Sequence, residues 1–199
     1  MGKVSTGFSM SLDGFVAGPN DEVDRLFAWM YKGDTDFTMI SGEHDLSLKV
    51  SEESAEMFQD AMNANGALVT GRRLFDVAGA WGGKHPLNIP VVVVTHHPPQ
   101  EGVNKEGSPF TFVTDGVESA IKKAKEIAGD KNVVVASPNV LQQVIRLGLL
   151  DEIHIDLVPV LLGEGISMFD HLGTAPIELK ITKVVQAPGV THLTYSVVK

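Results

Sequence analysis

Three valine-rich segments, interleaved with helical patterns, constrain the fold of this chain more than any other feature. They read ALVT at 67–70, VVVVT at 91–95 and NVVVA at 132–136. Uninterrupted apolar runs of this length are typical of strands that are covered on both faces of a sheet. Because helical patterns lie between them, the segments predict an α/β fold, with a mostly parallel central sheet and flanking helices.

The elements before and between the valine strands follow the same order. Residues 3–10 alternate as a first strand, and residues 22–31 are expected to form a short helix. Ser51 is a plausible N-cap for a helix that closes at Asn65–Gly66. The segment 32–50 has no clear period, so we expect a long loop of the kind that compact domains often use for function.

Two further helices are predicted in the second half of the chain. Asp115 and Glu118 match the N-cap and N3 positions of a capping box, which would open a helix with Ile121 and Ala124 on its buried side. Another apolar-periodic segment at 138–147 follows the strand at 132–135 directly. A helix that starts where a buried strand ends is a common phosphate site in α/β enzymes.

From Leu149 onward, strands follow one another without helices. Alternating patterns extend over about 150–161, 177–187 and 190–198, and Ala-Pro-Gly at 187–189 marks a hairpin between the last two. We therefore expect a C-terminal antiparallel hairpin at one edge of the mixed sheet. Since no linker or internal repeat is visible, residues 1–199 are expected to form one domain.

The composition disfavours several classes of protein. The 199 residues contain no cysteine and 43% are apolar, which argues against a disulfide-stabilised or disordered chain. No signal-peptide pattern and no run of roughly 20 apolar residues is present. The formal net charge of −9 disfavours nucleic acid and anionic membranes as partners. We expect a cytoplasmic protein.

Four segments carry a resemblance to a known family over nearly the whole chain. They are SLDGFVAG at 11–18, TGRRLFD at 70–76, PVVVVTHHP at 90–98 and GLLDEIHIDLVPVLLGEGISMF at 148–169. In this order they resemble the dihydrofolate-reductase-like fold, and specifically the family of the C-terminal reductase domain of the riboflavin-biosynthesis protein RibD. The resemblance implies an NADPH-dependent reductase that acts on a heterocyclic small molecule, either pterin-like or a ribosylaminopyrimidine, and that forms homodimers.

The resemblance also assigns residues to the cofactor. Ser9, Val16 and Ala17 would lie beside the nicotinamide through their backbones, and Gly71 and Arg72 would meet cofactor phosphates. The last assignment has independent physical support. A strand–Gly–Arg–Arg–helix junction combines free helix N–H groups, the positive end of a helix dipole and guanidinium groups, which together suit an anion.

The basic and polar residues near these strand ends allow more than one interpretation. Arg72 and Arg73 would equally suit ordinary surface positions near a helix start. Thr95, at the end of a valine strand, either donates its hydroxyl to the adenosine 2′-phosphate or simply closes the strand. Ser137 and Pro138 form a good N-cap and first-turn pair, which would leave the N–H groups of Asn139 and Val140 available to an anion.

Two departures from the family pattern weaken the cofactor assignment. The family has a paired-glycine turn near the pyrophosphate, where this chain has Ala136, Ser137 and Pro138. Side chains restrict the backbone there, and proline deletes an N–H donor. Leu74 stands where the family commonly has threonine. The alternative is therefore a non-catalytic or regulatory ligand-binding protein on the same fold, with a degenerated cofactor site.

Few acids are candidates for catalysis. Asp13 lies in the first-loop motif, where it either helps to order a loop that closes over nicotinamide and substrate or serves as an Asp–Gly turn residue. Glu43 and Asp45 are candidates only by their place in the segment 32–50. No acid matches a proton donor.

The histidines do not predict a metal site. His96 and His97 are adjacent near a strand end and would point to opposite faces. Glu152, His154 and Asp156 share a strand face, which a metal could use, but the simpler interpretation is the polar side of a strand or a subunit contact. The long C-terminal strands expose an edge, which independently favours the homodimer.

Overall fold

The computed structural model describes residues 2–41, 44–99 and 107–199, and the helices and strands are named here in chain order. The first half contains β1 (Val4–Ser11), β2 (Phe15–Ala17), α1 (Asp24–Phe27), a 3-10 segment (Ala28–Tyr31), β3 (Thr35–Ser41), β4 (His44–Val50), α2 (Glu52–Ala64), β5 (Asn65–Gly71), α3 (Arg72–Val77), a 3-10 segment (Gly79–Gly83) and β6 (Val91–Val94). The second half contains β7 (Phe110–Val113), α4 (Val117–Ala128), β8 (Asn132–Val135), α5 (Pro138–Arg146), β9 (Glu152–Val158), β10 (Ile166–Ser167), β11 (Leu179–Ala187) and β12 (Val190–Val197).

A large mixed sheet organises the fold. Its strand order is β11-β12-β9-β1-β8-β5-β6-β7, and all neighbours from β9 to β7 pair in parallel. β12 is antiparallel to both β9 and β11, and the turn at Pro188–Gly189 joins β11 to β12. The predicted fold, a mostly parallel sheet with a C-terminal antiparallel hairpin, is confirmed.

The valine strands lie in the middle of the sheet because both of their faces are covered. Val69, Val92 and Val133 pack on one side, in the same cluster as the buried residues of α4 and α5. Val91 and Val93 pack on the opposite side, with Phe75 of α3 and Phe112. A strand that alternates between two apolar layers needs apolar residues at every position, which explains the uninterrupted runs.

The expectation of a long loop at 32–50 is wrong, because β3 and β4 form an antiparallel hairpin there. Phe37 lies opposite Leu48, and Thr35 lies opposite Val50. Met39, Leu48 and Val50 are buried against Leu26 and Trp29. Each strand alternates over only three inward positions, so the period-2 signal is weak until the packing partner is known.

The predicted helix starts have mixed outcomes. Ser51 is the N-cap of α2, and its hydroxyl accepts a hydrogen bond from Ser54 N, as expected. The capping box at Asp115 and Glu118 is wrong, since the N-cap of α4 is Gly116, with φ of 104°, and no side chain caps the helix. Glycine adopts this left-handed backbone without strain and turns the chain into the helix one residue after Asp115.

The strand predicted at about 150–161 is shorter, because β9 ends at Val158. Pro159 follows and has no N–H to continue the ladder. Across the described ranges, none of the helices has the length and apolar character required to cross a bilayer.

Candidate functional site

Most of the predicted cofactor residues meet along one edge of the central sheet. β1, β8, β5 and β6 are consecutive parallel neighbours, so their carboxyl ends share this edge. Ser137 follows β8, Gly71 ends β5, and Thr95 follows β6. Ligands of open α/β sheets bind in the crevice outside the carboxyl ends of the strands. Chain order and sheet order together bring these distant residues into one region.

Gly71 marks the closest approach between two of these strand ends. A Cβ atom built on Gly71 would lie 3.0 Å from Ser137 Oγ and 3.4 Å from Val140 Cγ2. Because these contacts are tighter than most Cβ atoms tolerate, the glycine allows the start of α3 to lie directly beside the start of α5. Gly71, Ser137 and Val140, predicted separately, therefore form one surface, which we call the junction.

The α5 side of the junction offers unpaired backbone donors. Ser137 is the N-cap and Pro138 the first helical residue, as expected, but the Ser137 hydroxyl makes no capping hydrogen bond. The first backbone bond of the helix runs from Leu141 N to Ser137 O, at 2.8 Å. The N–H groups of Asn139 and Val140 precede it and so have no acceptor within the helix. Both lie at the positive end of the helix dipole, where helices favour anions.

Arg72 and Thr95, which follow the carboxyl ends of β5 and β6, lie in one hydrogen-bonded group. Arg72 Nε donates to Asp76 Oδ1 at 2.8 Å, and its Nη1 donates to the carbonyl oxygen of His97. Thr95 Oγ1 donates to the same carbonyl at 3.2 Å and accepts from His97 N. A phosphate would have to compete with Asp76 for the guanidinium. The neighbouring Arg73 instead pairs with Asp21, at 2.9 Å.

Asp13 joins the turn after β1 to a distant loop. Its carboxylate accepts hydrogen bonds from Ser11 Oγ at 2.6 Å, Gly163 N at 2.7 Å and Leu162 N at 3.1 Å. The Ser11 hydroxyl and then these N–H groups lower the pKa of Asp13. The contacts fit the loop-ordering role predicted for Asp13, and the lowered pKa makes the residue a poor proton donor.

The residues predicted beside the nicotinamide are buried. Val16 and Ala17 belong to β2, which pairs with β10. Ser9 lies on β1, and its hydroxyl accepts a hydrogen bond from Trp29 Nε1 at 3.1 Å. Their backbone contact with a cofactor stays a prediction. Asp45 is exposed on β4, and Glu43 lies outside the described residues.

A buried polar cluster near Ser9 was not predicted from the sequence. His192 Nδ1 lies 2.7 Å from Asp156 Oδ1, and His192 Nε2 lies 2.8 Å from Ser54 Oγ. We call these three residues the relay cluster. The alternation of the strand places Asp156 on one face with Glu152 and His154, but nothing in the sequence connects it to residues 54 and 192.

Among the described residues, no group of three or more His, Asp or Glu side chains is arranged to hold a metal. Glu152 and His154 pair with each other at 3.3 Å instead of converging with Asp156. His96 and His97 are exposed in the turn after β6. Trp81 packs edge-on against Phe75 and His85, as aromatic packing alone predicts.

Comparison with known proteins identifies a family model and a relative that match most of this chain. The model of the RibD C-terminal domain matches residues 3–193. The uncharacterized protein YyaP of Bacillus subtilis (strain 168) is 24% identical over 174 residues, which cover 84% of this chain and 80% of the relative.

Solved structures share the fold at low sequence identity. A putative riboflavin biosynthesis protein from Shewanella sp. PV-4 superposes with a TM-score of 0.76 at 19% identity, and the match covers 99% of both chains. A deaminase/5-amino-6-(5-phosphoribosylamino)uracil reductase from Thermotoga maritima gives a TM-score of 0.63 at 14% identity, over 99% of this chain and 57% of that one. Acinetobacter baumannii RibD gives a TM-score of 0.61 at 15% identity, over 100% of this chain and 58% of that one. These likenesses confirm the predicted dihydrofolate-reductase-like, RibD-type fold.

Proposed function

Since the chain belongs to the RibD C-terminal domain family, we propose that it is an NADPH-dependent reductase of the riboflavin-biosynthesis reductase class, acting on a heterocyclic small molecule. The observation that carries the proposal is the junction, where Gly71 lies against Ser137 and Val140 at the carboxyl ends of β5 and β8. The Thermotoga protein, which is named as a reductase, supplies the candidate substrate, 5-amino-6-(5-phosphoribosylamino)uracil.

The residues at the sheet edge fit a dinucleotide phosphate chemically. The uncapped N–H groups of Asn139 and Val140 would hold a pyrophosphate oxygen, and Gly71 lets the start of α5 lie directly against the end of β5. Arg72, with Thr95 beside it, would meet the 2′-phosphate by exchanging Asp76 for the ligand. The nicotinamide would then extend towards Ser9, Val16 and Ala17.

Two observations support the alternative, a ligand-binding protein with weakened cofactor affinity. Pro138 removes one donor from the turn, and the Arg72 guanidinium is already paired with Asp76. A hydrogen bond to a charged group contributes roughly 1.5–3 kcal/mol, so one missing donor weakens binding by about one to two decades. We favour the reductase because the two available N–H groups and Arg72 remain.

An NADPH titration with a matched pair of arginine variants tests the proposal. Nicotinamide fluorescence should saturate with the natural protein, and Arg72→Ala should weaken binding roughly tenfold or more, because it removes a charged partner. Arg73→Ala is the control, since Arg73 pairs with Asp21 away from the Thr95 group and should bind NADPH normally. Absence of saturation up to millimolar NADPH would contradict the reductase proposal and favour the alternative.

We also propose that the protein is a homodimer. β11 is an edge strand, and Leu179, Ile181 and Val184 on it are exposed. An apolar groove of about 620 Å³ next to it is lined by residues that include Leu150 and Ile177. Light scattering should give twice the chain mass of 21.4 kDa, whereas a mass near 21.4 kDa at micromolar concentration would contradict the proposal.

A further inference from the structure

The relay cluster connects three separate elements through side-chain hydrogen bonds. Asp156 is on β9, His192 is on the adjacent β12 directly opposite it, and Ser54 is in the first turn of α2. The O···N distances along the cluster are 2.7 and 2.8 Å. Ser51 Oγ, at the N-cap of α2, extends it by donating to Ser54 Oγ at 3.2 Å.

Burial distinguishes the Asp156 end of the cluster from the other two residues. Ser54 and His192 are 1% and 2% exposed, whereas the Asp156 side chain is 26% exposed. No hydrogen bond to Asp156 Oδ2 is formed within the described ranges of the chain. The outer carboxylate oxygen is therefore the group of this cluster that a ligand can reach.

Asp156 also lies next to the predicted nicotinamide position. Its partner on β1 in the sheet register is Ser9. Trp29 links the two places, because its Nε1 donates to Ser9 Oγ and its ring packs edge-on against His192 with centroids 5.2 Å apart. A molecule that contacts the backbone of Ser9 is therefore close to the Asp156 carboxylate.

The order Ser–His–Asp matches that of a hydrolytic triad, but the burial does not. A triad serine must expose its oxygen to the substrate and have oxyanion donors beside it. Ser54 is buried within the first turn of α2 and already accepts a hydrogen bond from Ser51. The cluster has its accessible end at the carboxylate instead, which is the arrangement of an acid supported by a histidine.

We propose that Asp156 is the catalytic acid of the site, with His192 and Ser54 as positioning residues that hold its carboxylate in place. This inference rests on the reductase proposal above and adds the proton donor that it lacks. A nicotinamide held at this site would supply a hydride, and reduction of a C=O or C=N bond would then require one proton on the substrate heteroatom.

The proton that the substrate needs would come from Asp156 Oδ2. In the acid form, Asp156 carries a proton on Oδ2, while its Oδ1 accepts from Nδ1–H of a neutral His192. Donation of the Oδ2 proton to the substrate leaves a carboxylate that the same Nδ1–H stabilises. A solvent proton then returns to Oδ2 on the exposed side of the carboxylate, while His192 Nδ1–H and the Ser54 hydroxyl keep their hydrogen bonds.

Few charged groups face Asp156 and His192. Asp156 faces His192 from β9, with His154 two residues along the same strand. From α2, the exposed Glu53 approaches, and its pKa is lowered mainly by its own backbone N–H and the Ser51 hydroxyl, and to a smaller extent by His192. Trp29, from the 3-10 segment, is uncharged. A pH profile of the site must therefore separate Asp156 from Glu53.

Single-turnover kinetics with NADPH and 5-amino-6-(5-phosphoribosylamino)uracil test the proposal. Asp156→Asn should bind NADPH normally but reduce the substrate about 100-fold more slowly, at the lower end of what a general acid contributes. His192→Gln should slow the reaction and flatten its pH profile. Ser54→Ala should slow it as well, and Ser54→Thr should restore the rate because threonine retains the hydroxyl.

Glu152→Gln is the matched control, because Glu152 is on the same strand and face but pairs with Lys3 and His154. Its rate and pH profile should equal those of the natural protein. Glu53→Gln should retain the pH profile of the rate, which would exclude Glu53 as the group whose protonation sets that profile.

A measurement without cofactor provides a second readout. Side-chain ¹⁵N NMR should show that Asp156→Asn shifts the His192 Nδ1 resonance, because the carboxylate acceptor of its hydrogen bond is lost, whereas Glu152→Gln leaves the resonance unchanged. An unchanged His192 Nδ1 resonance in Asp156→Asn would overturn the hydrogen bond on which the inference rests, whatever the activity.

The outcomes distinguish this inference from the function on which it rests. If the natural protein reduces the substrate and Asp156→Asn does so at the same rate, the inference alone is overturned. If the natural protein neither binds nor oxidises NADPH, the reductase proposal fails and the acid role of Asp156 fails with it. Covalent labelling of Ser54 by a fluorophosphonate would also overturn the inference, because it would show a nucleophilic serine.

Discussion

The junction and the relay cluster differ in how they are built. The junction consists mainly of backbone, since Gly71, Ser137 and the N–H groups of Asn139 and Val140 define it, and its neighbouring arginine is partly exposed and already paired. The relay cluster consists of side chains whose inner members are almost fully buried. The first can lose a contact at little cost to the fold, whereas the second cannot, because buried polar groups must keep their partners.

The largest expected effect on stability comes from breaking the relay cluster. His192→Leu would leave Ser54 and Asp156 without their partner, and an unsatisfied buried group costs about 1–3 kcal/mol. We expect the free energy of unfolding to fall by about 2–4 kcal/mol in urea titrations.

Arg72→Ala is the comparison for this variant at the sheet edge. Its ion pair with Asp76 is largely exposed, so the loss should be at most about 1 kcal/mol. Equal destabilisation by the two variants would show that the contrast between the two regions is wrong.

Substitutions in the turn before α5 should raise the affinity for NADPH. Replacing Ala136, Ser137 and Pro138 with Gly-Gly-Ala should raise the affinity for NADPH about tenfold or more, because it restores one N–H donor and backbone freedom. The Ser137 hydroxyl makes no capping hydrogen bond, so the helix should lose less than the ~1 kcal/mol of a typical serine cap.

Pro138→Ala alone separates the two causes, since it restores the donor without adding glycines. Titration with NADPH of both variants and of the natural protein measures each contribution. If the triple variant folds normally and binds NADPH no more tightly, the turn does not limit cofactor binding.

The smallest expected effect concerns Asp13, and the test is the direction in which its contribution to stability changes with pH. Its folded pKa is lowered from an ordinary value of 3.8, so its hydrogen bonds stabilise the protein above that pH and this contribution is lost as the pH falls through the folded pKa. Asp13→Asn should therefore lower the urea midpoint at pH 7, and the difference from the natural protein should narrow in acid.

Asp45→Asn is the control for this comparison, because Asp45 is exposed on β4. It should change neither the urea midpoint at pH 7 nor the acid dependence. A difference between Asp13→Asn and the natural protein that stays constant with pH would show that the carboxylate charge of Asp13 is irrelevant to stability.

Local patterns identified the residues of the junction and most of the fold, although the adjacency of β5 and β8 was needed to bring Gly71 and Ser137 together. The uninterrupted valines placed β6 and β8 between two apolar layers, and the Gly-Arg-Arg segment and the Ser-Pro pair each marked the start of a helix after a strand. These features depend on residues that are close in the sequence. The capping box at Asp115 failed locally as well, because Gly116 supplied a backbone conformation that the pattern of side chains does not encode.

The sequence by itself determined the order of strands and helices, because burial on both faces or on one face imposes a period that can be recognised in a single segment. The hairpin at Thr35–Val50 depended on tertiary packing, since its short alternation becomes significant only against Trp29 and Leu26. The relay cluster depended on it entirely. Ser54 and His192 are 138 positions apart in the chain, and only the pairing of β12 with β9 beneath α2 brings their side chains within hydrogen-bonding distance.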